Sequence, residues 1–226
     1  MVEDVKKQVL KLLSTDNSGH GMDHVDRVLN LSLKFAKEEN ADLEVVSLIA
    51  LLHDVDDYKL FGEENAKSLT NARRIMENAS ISEEIQEKVL DVISNFGYSK
   101  AVNGIRPVSL EGKIVSDADM CDVVGVNGII RTFKYSLKYN KPFFDKYIFP
   151  SDDLETTKKL KVCADSSVCH LFEKALKLKK MMLTNSGKKE IEKRHKITVD
   201  ILYQLFDEED VPEWAEYLDK YLKNNY

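Results

Sequence analysis

An all-α fold is predicted by three observations. Glycine and proline, which interrupt helices, are scarce, with nine glycines and four prolines among 226 residues. Hydrophobic residues recur with the helical period in one segment after another. Strand-like alternation is nowhere sustained, and no repeat or Gly/Ser-rich linker divides the chain. We therefore expect a single helical domain over residues 1–226, with a core over about residues 20–135 and C-terminal helices over about residues 152–226.

Five helices are predicted in the first part of the chain. An amphipathic helix over residues 2–14 ends at a polar segment, and a second helix covers residues 23–39. Asp42 is placed to cap a third helix over residues 43–54. Residues 63–78, rich in Ala, Lys, Arg and Glu, predict a fourth helix. Ser80 and Glu83 form a capping-box pattern ahead of a fifth helix over residues 84–96.

The second part of the chain predicts four more helices. Residues 109–124 carry a helix with acidic residues on one side. The segment 143–150 is aromatic and irregular. Two long helices over residues 152–182 and 187–206 follow, and residues 212–224 predict a last short helix.

Composition limits the possible partners and compartment. The net charge of −6 and the isoelectric point near 5.5 argue against a duplex nucleic-acid partner, which requires a basic face. No apolar run approaches the roughly 18 residues of a membrane span, and the N-terminal residues do not resemble a leader. The three cysteines, Cys121, Cys163 and Cys169, fit a reducing compartment better than a disulfide framework. We expect a cytoplasmic protein, monomeric or homodimeric, with no membrane partner.

A small set of histidines and aspartates points to chemistry. His20, His24 and His53 are three of only five histidines, and Asp54 follows His53 directly at the end of an apolar run. A buried carboxylate in that position needs an offsetting positive charge. With the acidic residues around Asp119, these side chains form the ligand set of a borderline divalent metal. The alternative is that each histidine is an ordinary residue at a helix boundary.

Four segments carry a family resemblance in the order HGMDHVDRVLNLSLKFAKEENAD, LIALLHDVDDYK, KIVSDADMCDVVGVNGIIRTF and HLFEKALKLKKMMLTNSGKKEIEKRHK. The chain resembles the HD-domain metal-dependent phosphohydrolase superfamily, and within it a small bacterial group that includes nucleotide pyrophosphohydrolases. The resemblance runs from about residue 20 to about residue 206. It implies a helical HD core that hydrolyses phosphate esters or anhydrides at a bound metal.

The resemblance implies four metal ligands: His24, His53, Asp54 and Asp119, with Asp117 as the alternative to Asp119. We expect one divalent ion, Mn first, with Mg, Fe, Co, Ni and Zn as alternatives.

The expectation of a single ion depends on a missing ligand type. Binuclear members of the superfamily use further histidines after the HD pair. Here no histidine lies between His53 and His170. A second ion would therefore lack its usual ligands.

Proton transfer is assigned to three neighbours of the expected ion. Asp54 or Asp57 is placed to accept the proton of an attacking water, and His20 to act as acid or base near the leaving group. The alternative for His20 is a loop residue bonded to a backbone carbonyl.

Substrate phosphates require cations, and four residues are candidates: Arg27, Lys59, Arg131 and Lys174. Arg27 has the alternative of a surface salt bridge to an aspartate, and Arg131 and Lys174 are the weaker candidates. The expected reaction is hydrolysis of a nucleoside triphosphate with release of pyrophosphate. The alternatives are a phosphomonoesterase acting on nucleotides and a module that senses a nucleotide without hydrolysing it.

Overall fold

The computed structural model describes residues 1–14, 20–150 and 166–226, and across these ranges the regular structure is helical, without a β-strand. The prediction of an all-α fold is confirmed. The first nine helices are α1 (Val2–Leu13), α2 (Met22–Glu39), α3 (Leu43–Leu52), α4 (Tyr58–Ser68), α5 (Thr70–Asn78), α6 (Glu83–Ser94), α7 (Tyr98–Val102), α8 (Leu110–Asp122) and α9 (Val126–Lys138).

The remaining helices belong to the C-terminal part of the chain. Helix α10 (Ser167–His170) continues into a π-helical turn, Leu171–Ala175, and then into a 3-10 helix, Leu176–Met181. Helices α11 (Asn185–Glu208) and α12 (Pro212–Asn225) complete the chain. They match the helices predicted over 187–206 and 212–224. Residues 152–165 of the helix predicted over 152–182, together with Cys163, lie outside the described residues, and the remainder is helical from Ser167 to Met181.

Two compact units are formed by the chain: Met1–Asp122 with Leu183–Gly187, and Val123–Met182 with Lys188–Tyr226. The expected single domain stays a prediction. In the first unit, α3 packs against α1, α2, α6 and α8. This position explains why α3 is apolar on all sides, because every residue from Val45 to Leu52 is buried.

Local contacts decide where the early helices begin. Asp42 caps α3 as predicted, since its Oδ1 accepts from the backbone N–H groups of Glu44 and Val45 at 2.9 and 3.1 Å. The capping box ahead of α6 is wrong. Ser82 is the N-cap and makes no side-chain capping bond, and Ser80 has a left-handed backbone with φ 54°. Ser80 therefore lies in the preceding turn and cannot serve as the cap.

The helix predicted over 63–78 is two helices, α4 and α5, that meet at Leu69, where φ is 53°. The buried carboxylate of Asp56 explains the break. It accepts from the backbone N–H groups of Asn71 and Ala72 at 3.0 and 2.9 Å, at the start of α5. Those N–H groups are the unpaired donors of a new helix N-terminus.

In the second unit, Trp214 on α12 is fully buried and stacks on Phe149 with ring centroids 4.3 Å apart. Its indole N–H donates to the carbonyl of Lys146 at 3.0 Å. The aromatic segment 143–150 is irregular, as predicted, and this packing holds it. Cys121 and Cys169 are buried. Among the described helices, none combines the length and the hydropathy needed to span a bilayer.

Candidate metal centre

Three packed elements of the first unit converge on one point. His24 lies in the first turn of α2, whose N-cap is Gly21. His53 is the C-cap of α3, and Asp54 follows in the turn. Helix α8 contributes Asp119, and it packs against both α2 and α3. The apolar stripes that pack these helices together therefore also bring the four predicted ligands together.

Distances within this group are short, and we call His24, His53, Asp54 and Asp119 the metal centre. The Nε2 atoms of the two histidines are 3.1 Å apart. Oδ2 of Asp54 lies 3.5 Å from each of them, and Oδ1 of Asp119 lies 3.4 Å from Nε2 of His24. Both imidazoles are 1% exposed, whereas the carboxylates of Asp54 and Asp119 are 13% and 22% exposed. The carboxylate side is therefore the side open to solvent.

The Nδ1 atoms of both imidazoles are used for hydrogen bonds. Nδ1 of His53 lies 2.8 Å from the carbonyl oxygen of Ala50, which only accepts, so this nitrogen carries the hydrogen. Nδ1 of His24 lies 2.8 Å from Oδ2 of Asp122. Arg27 donates to both oxygens of Asp122 at 2.8 and 3.0 Å, which keeps that carboxylate ionised and accepting. In their neutral form, both histidines therefore present a lone pair at Nε2.

This donor set fits a divalent cation. Two imidazole lone pairs and two carboxylate oxygens face one another, and a neutral pair of rings supplies no hydrogen between them. The ligand atoms of His24, His53 and Asp119 all lie within 4.8 Å of one another. Two nitrogens and two oxygens suit a borderline divalent metal, and histidines held through Nδ1 by a carboxylate or a carbonyl are typical of metal sites.

Electrostatics keep Asp54 ionised. Burial raises the pKa of its carboxyl, and the neighbouring imidazoles, that of His53 first and then those of His20 and His24, lower it by more. The net result is a pKa well below the usual range. A carboxylate in this state is a ready metal ligand.

Asp117, the alternative ligand, is engaged elsewhere. Its carboxylate accepts from the N–H of Leu183 at 2.9 Å and from both the N–H and the hydroxyl of Thr184 at 2.7 Å. Burial raises its pKa, and these hydrogen bonds only partly oppose that shift. A Cβ at Gly187 would lie 2.2 Å from Oδ2 of Asp117, so the backbone approaches this carboxylate too closely for any other residue. Of the two aspartates, the structure brings Asp119 to the imidazoles.

The residues predicted for proton transfer lie beside the metal centre. Nδ1 of His20 is 2.8 Å from Oδ2 of Asp54. His20, Asp54 and Asp57 each offer a ligand atom within 4.8 Å of the other two. Asp57 also caps α4, because it accepts from the N–H of Lys59 at 2.8 Å.

Substrate-binding candidates are spread over both units. Arg27 is bound to Asp122 and also contacts Asp23 at 3.2 Å, the surface pair weighed from the sequence. Lys59 is exposed, with its ammonium 5.8 Å from the ring centre of Tyr58. The other two candidates, Arg131 on α9 and Lys174 in the π-helical turn, are half-buried in the second unit. All four substrate contacts stay predictions.

Sequence reasoning missed Asp122. It lies three residues after Asp119 on α8, and this spacing places both carboxylates on one helix face. A signal was therefore present, but it required knowing that His24 packs against that face. Asp122 is 3% exposed and contacts both Nδ1 of His24 and the guanidinium of Arg27.

Comparison with known proteins agrees with this geometry. The family model of the HD domain matches residues 21–123, which include the whole metal centre. YpgQ of Bacillus subtilis is 29% identical over 212 residues, 93% of each chain. The crystal structure of an HD-superfamily hydrolase from Bacillus thuringiensis is 31% identical, with a TM-score of 0.70, over 92% of this chain and 96% of that one. The chain belongs to the HD-domain phosphohydrolase superfamily.

Two further structures resemble this HD protein. A protein from Lactobacillus plantarum superimposes with a TM-score of 0.79 and 28% identity over 92% of this chain and 95% of its own. YpgQ in complex with ADP superimposes with a TM-score of 0.71 and 27% identity over 95% of this chain and all of that one. The HD protein is accordingly a metal-dependent phosphohydrolase whose relatives share the fold over nearly their full length.

Proposed function

We propose that this HD protein hydrolyses nucleoside triphosphates with release of pyrophosphate, at one ion held by His24, His53, Asp54 and Asp119. Mn is the first expectation for the ion. The observation that carries the proposal is the 3.1 Å approach of two imidazole Nε2 atoms that are both locked as lone-pair donors. The ADP complex of YpgQ supports a nucleotide as the substrate class.

A divalent ion in such a site lowers the pKa of bound water and polarises a phosphoryl oxygen. The chain supplies the rest of the chemistry. Burial of His24 and His53 excludes water from one side, so the reacting groups meet on the side of Asp54 and Asp119. The Nδ1 bonds to Asp122 and Ala50 hold the two rings in fixed orientations. Less conformational entropy is therefore lost when the site binds its ion and substrate.

Proton transfer in the proposal uses the residues beside Asp54. Asp54 and Asp57 lie close together on the side open to solvent, so one of them accepts the proton of the attacking water in this proposal. His20, 21% exposed and hydrogen-bonded to Asp54, protonates the leaving pyrophosphate. The hydrogen bond to Asp54 orients the imidazole.

Phosphate binding falls to the basic candidates. Lys59 follows Asp57 in the first turn of α4 and carries an exposed ammonium, so it is our first choice for a phosphate contact. Arg27 uses Nε and one N–H of Nη2 on Asp122 and one N–H of Nη1 on Asp23, so a phosphate would be bound by the second N–H of Nη1 or Nη2. Arg131 and Lys174 complete the set.

The test is a panel of nucleoside tri-, di- and monophosphates with Mn, Mg, Co or Ni, with pyrophosphate and orthophosphate measured separately. We expect pyrophosphate from triphosphates in the parent and none from His53→Ala. Glu64→Gln, an exposed acid on α4, is the matched control and should behave as the parent. Orthophosphate alone would favour the phosphomonoesterase, and nucleotide binding without turnover would favour the sensing module.

A further inference from the structure

We propose that the HD protein binds a second divalent cation between His20, Asp54 and Asp57. One imidazole and two carboxylates each offer a ligand atom there, and these atoms all lie within 4.8 Å of one another. The group is separate from His24, His53 and Asp119, which form their own cluster within the same limit. We call the new group the second cation site.

The backbone prepares the second cation site. A turn follows α3, in which the N–H of Asp57 donates to the carbonyl of Asp54 at 3.1 Å. This turn brings the two carboxylates together although they are three residues apart. The carboxylate of Asp57 is fixed in rotation by its bond to the N–H of Lys59. His20, immediately before α2, comes within 2.8 Å of Asp54.

Asp54 connects the second cation site to the metal centre. Its Oδ2 lies 2.8 Å from His20, and 3.5 Å from Nε2 of both His24 and His53. In two-metal sites the ions are about 3.5–4 Å apart, and a carboxylate in contact with both ligand clusters would be within reach of both ions. We therefore assign Asp54 as the bridging ligand.

Charge and exposure set the expected affinity. The positive charge of two divalent ions would exceed the negative charge of the three carboxylates, Asp54, Asp57 and Asp119. The net positive charge that remains suits a phosphate. The imidazole of His20 is 21% exposed, against 1% for those of His24 and His53. A more open site retains more water on the ion, so the second cation should bind more weakly than the first.

The single-ion expectation depended on histidines after the HD pair, and none lies between His53 and His170. In the second cation site the histidine comes from earlier in the chain, since His20 precedes α2. With two ions bound, His20 and Asp57 are ligands rather than the acid and base of the one-ion mechanism. The inference relies on the proposed metal centre only for the shared carboxylate of Asp54, and on no particular nucleotide reaction.

The experiment measures metal alone. Metal-stripped protein is titrated with MnCl₂ by calorimetry, and bound Mn is counted after equilibrium dialysis. Low-temperature electron paramagnetic resonance then reports whether two Mn ions are magnetically coupled. We expect two ions per chain, the second weaker, and a coupled spectrum. His20→Ala and Asp57→Asn should each retain one tightly bound ion and lose the coupling, and Glu64→Gln should retain both ions.

One Mn per chain in the parent at saturation would overturn the proposal. So would two coupled ions in both His20→Ala and Asp57→Asn. The tightly bound ion that remains in these variants, with parental circular dichroism, shows that they fold. Because no nucleotide is present, failure of the pyrophosphate assay leaves this result unaffected, and a single bound ion leaves the pyrophosphate proposal intact.

Discussion

Two acidic regions of the first unit compensate the cost of burying a carboxylate in opposite ways. At the metal centre, Asp54 and Asp119 face the Nε2 lone pairs of two imidazoles. Asp117, two residues before Asp119 on α8, instead faces the N–H groups and hydroxyl of segment 183–184. Neutral imidazoles offer lone pairs in the first region, whereas hydrogen-bond donors surround the carboxylate in the second.

We call the second region the anchor: Asp117, Glu39 and the segment Leu183–Gly187. Glu39 accepts from the N–H and hydroxyl of Ser186 at 2.8 and 2.9 Å, beside the bonds made to Asp117. These N–H groups surround the start of α11, where helix donors have no partner within the helix. Burial of a carboxylate therefore does not by itself indicate a metal, whereas a carboxylate facing lone pairs does.

The largest effect should follow removal of a ligand from the metal centre. His53→Ala takes away one of two imidazole nitrogens, so we expect hydrolysis to fall by more than about 100-fold, beyond the usual loss for an outer partner. The free energy of unfolding of the metal-free variant should stay close to that of the parent. Rates with saturating Mn and urea unfolding without metal measure the two quantities. A variant that hydrolyses normally would contradict the ligand assignment.

A smaller loss is expected at the residue that orients His24. Asp122→Ala leaves Nδ1 of His24 and the guanidinium of Arg27 without their partner. We expect Mn affinity to fall about 10- to 100-fold, as for other outer partners of metal ligands. Asp122→Asn, which still accepts at one oxygen, should lose less. Calorimetric titration measures both, and equal affinities in parent and Asp122→Ala would remove Asp122 from this role.

The anchor should respond in stability and not in metal binding. Asp117→Ala leaves several buried donors unsatisfied, and we expect a loss of about 3 kcal/mol in the free energy of unfolding. Gly187→Ala should also destabilise, because its Cβ would lie 2.2 Å from Oδ2 of Asp117. Thermal or urea unfolding of metal-free protein provides the measurement. An unchanged stability in both variants would show that the anchor does not hold the start of α11.

The smallest effect concerns pH. The pKa of Asp117 is raised in the folded protein above its ordinary value of 3.8. Between these two pKa values the folded state binds more protons than the unfolded state, so the parent loses stability as pH rises through that window. Asp117→Asn should lack this decline. Unfolding curves from pH 3.5 upward test it, and parallel pH dependences of parent and variant would contradict the sign.

How much the sequence predicted differs between these regions. The four residues of the metal centre were named from the order of the HD-type segments along the chain, and the structure brings them together, while their role as ligands stays a prediction. Asp56 as the cap of α5, Asp117 in the anchor and Asp122 behind His24 were not predicted. Each binds a partner 15 to 98 residues away, and only folding brings such pairs together.

The break between α4 and α5 at Leu69 also depends on a residue outside the helices it separates. Composition favours one helix over 63–78, yet Asp56 terminates it through contacts from outside that segment. Asp42, in contrast, caps α3 through neighbours two and three residues away, and its role was read correctly. Local contacts can be predicted from the sequence, whereas contacts between distant elements require the structure.

The most direct test of the metal centre compares Asp119→Ala with Asp117→Ala. Both remove a carboxylate from α8, two residues apart, and both are titrated with Mn after removal of metal. We predict that Asp119→Ala loses the tightly bound ion and that Asp117→Ala retains it at parental affinity despite its lower stability. Tight binding in Asp119→Ala together with its loss in folded Asp117→Ala would contradict the account.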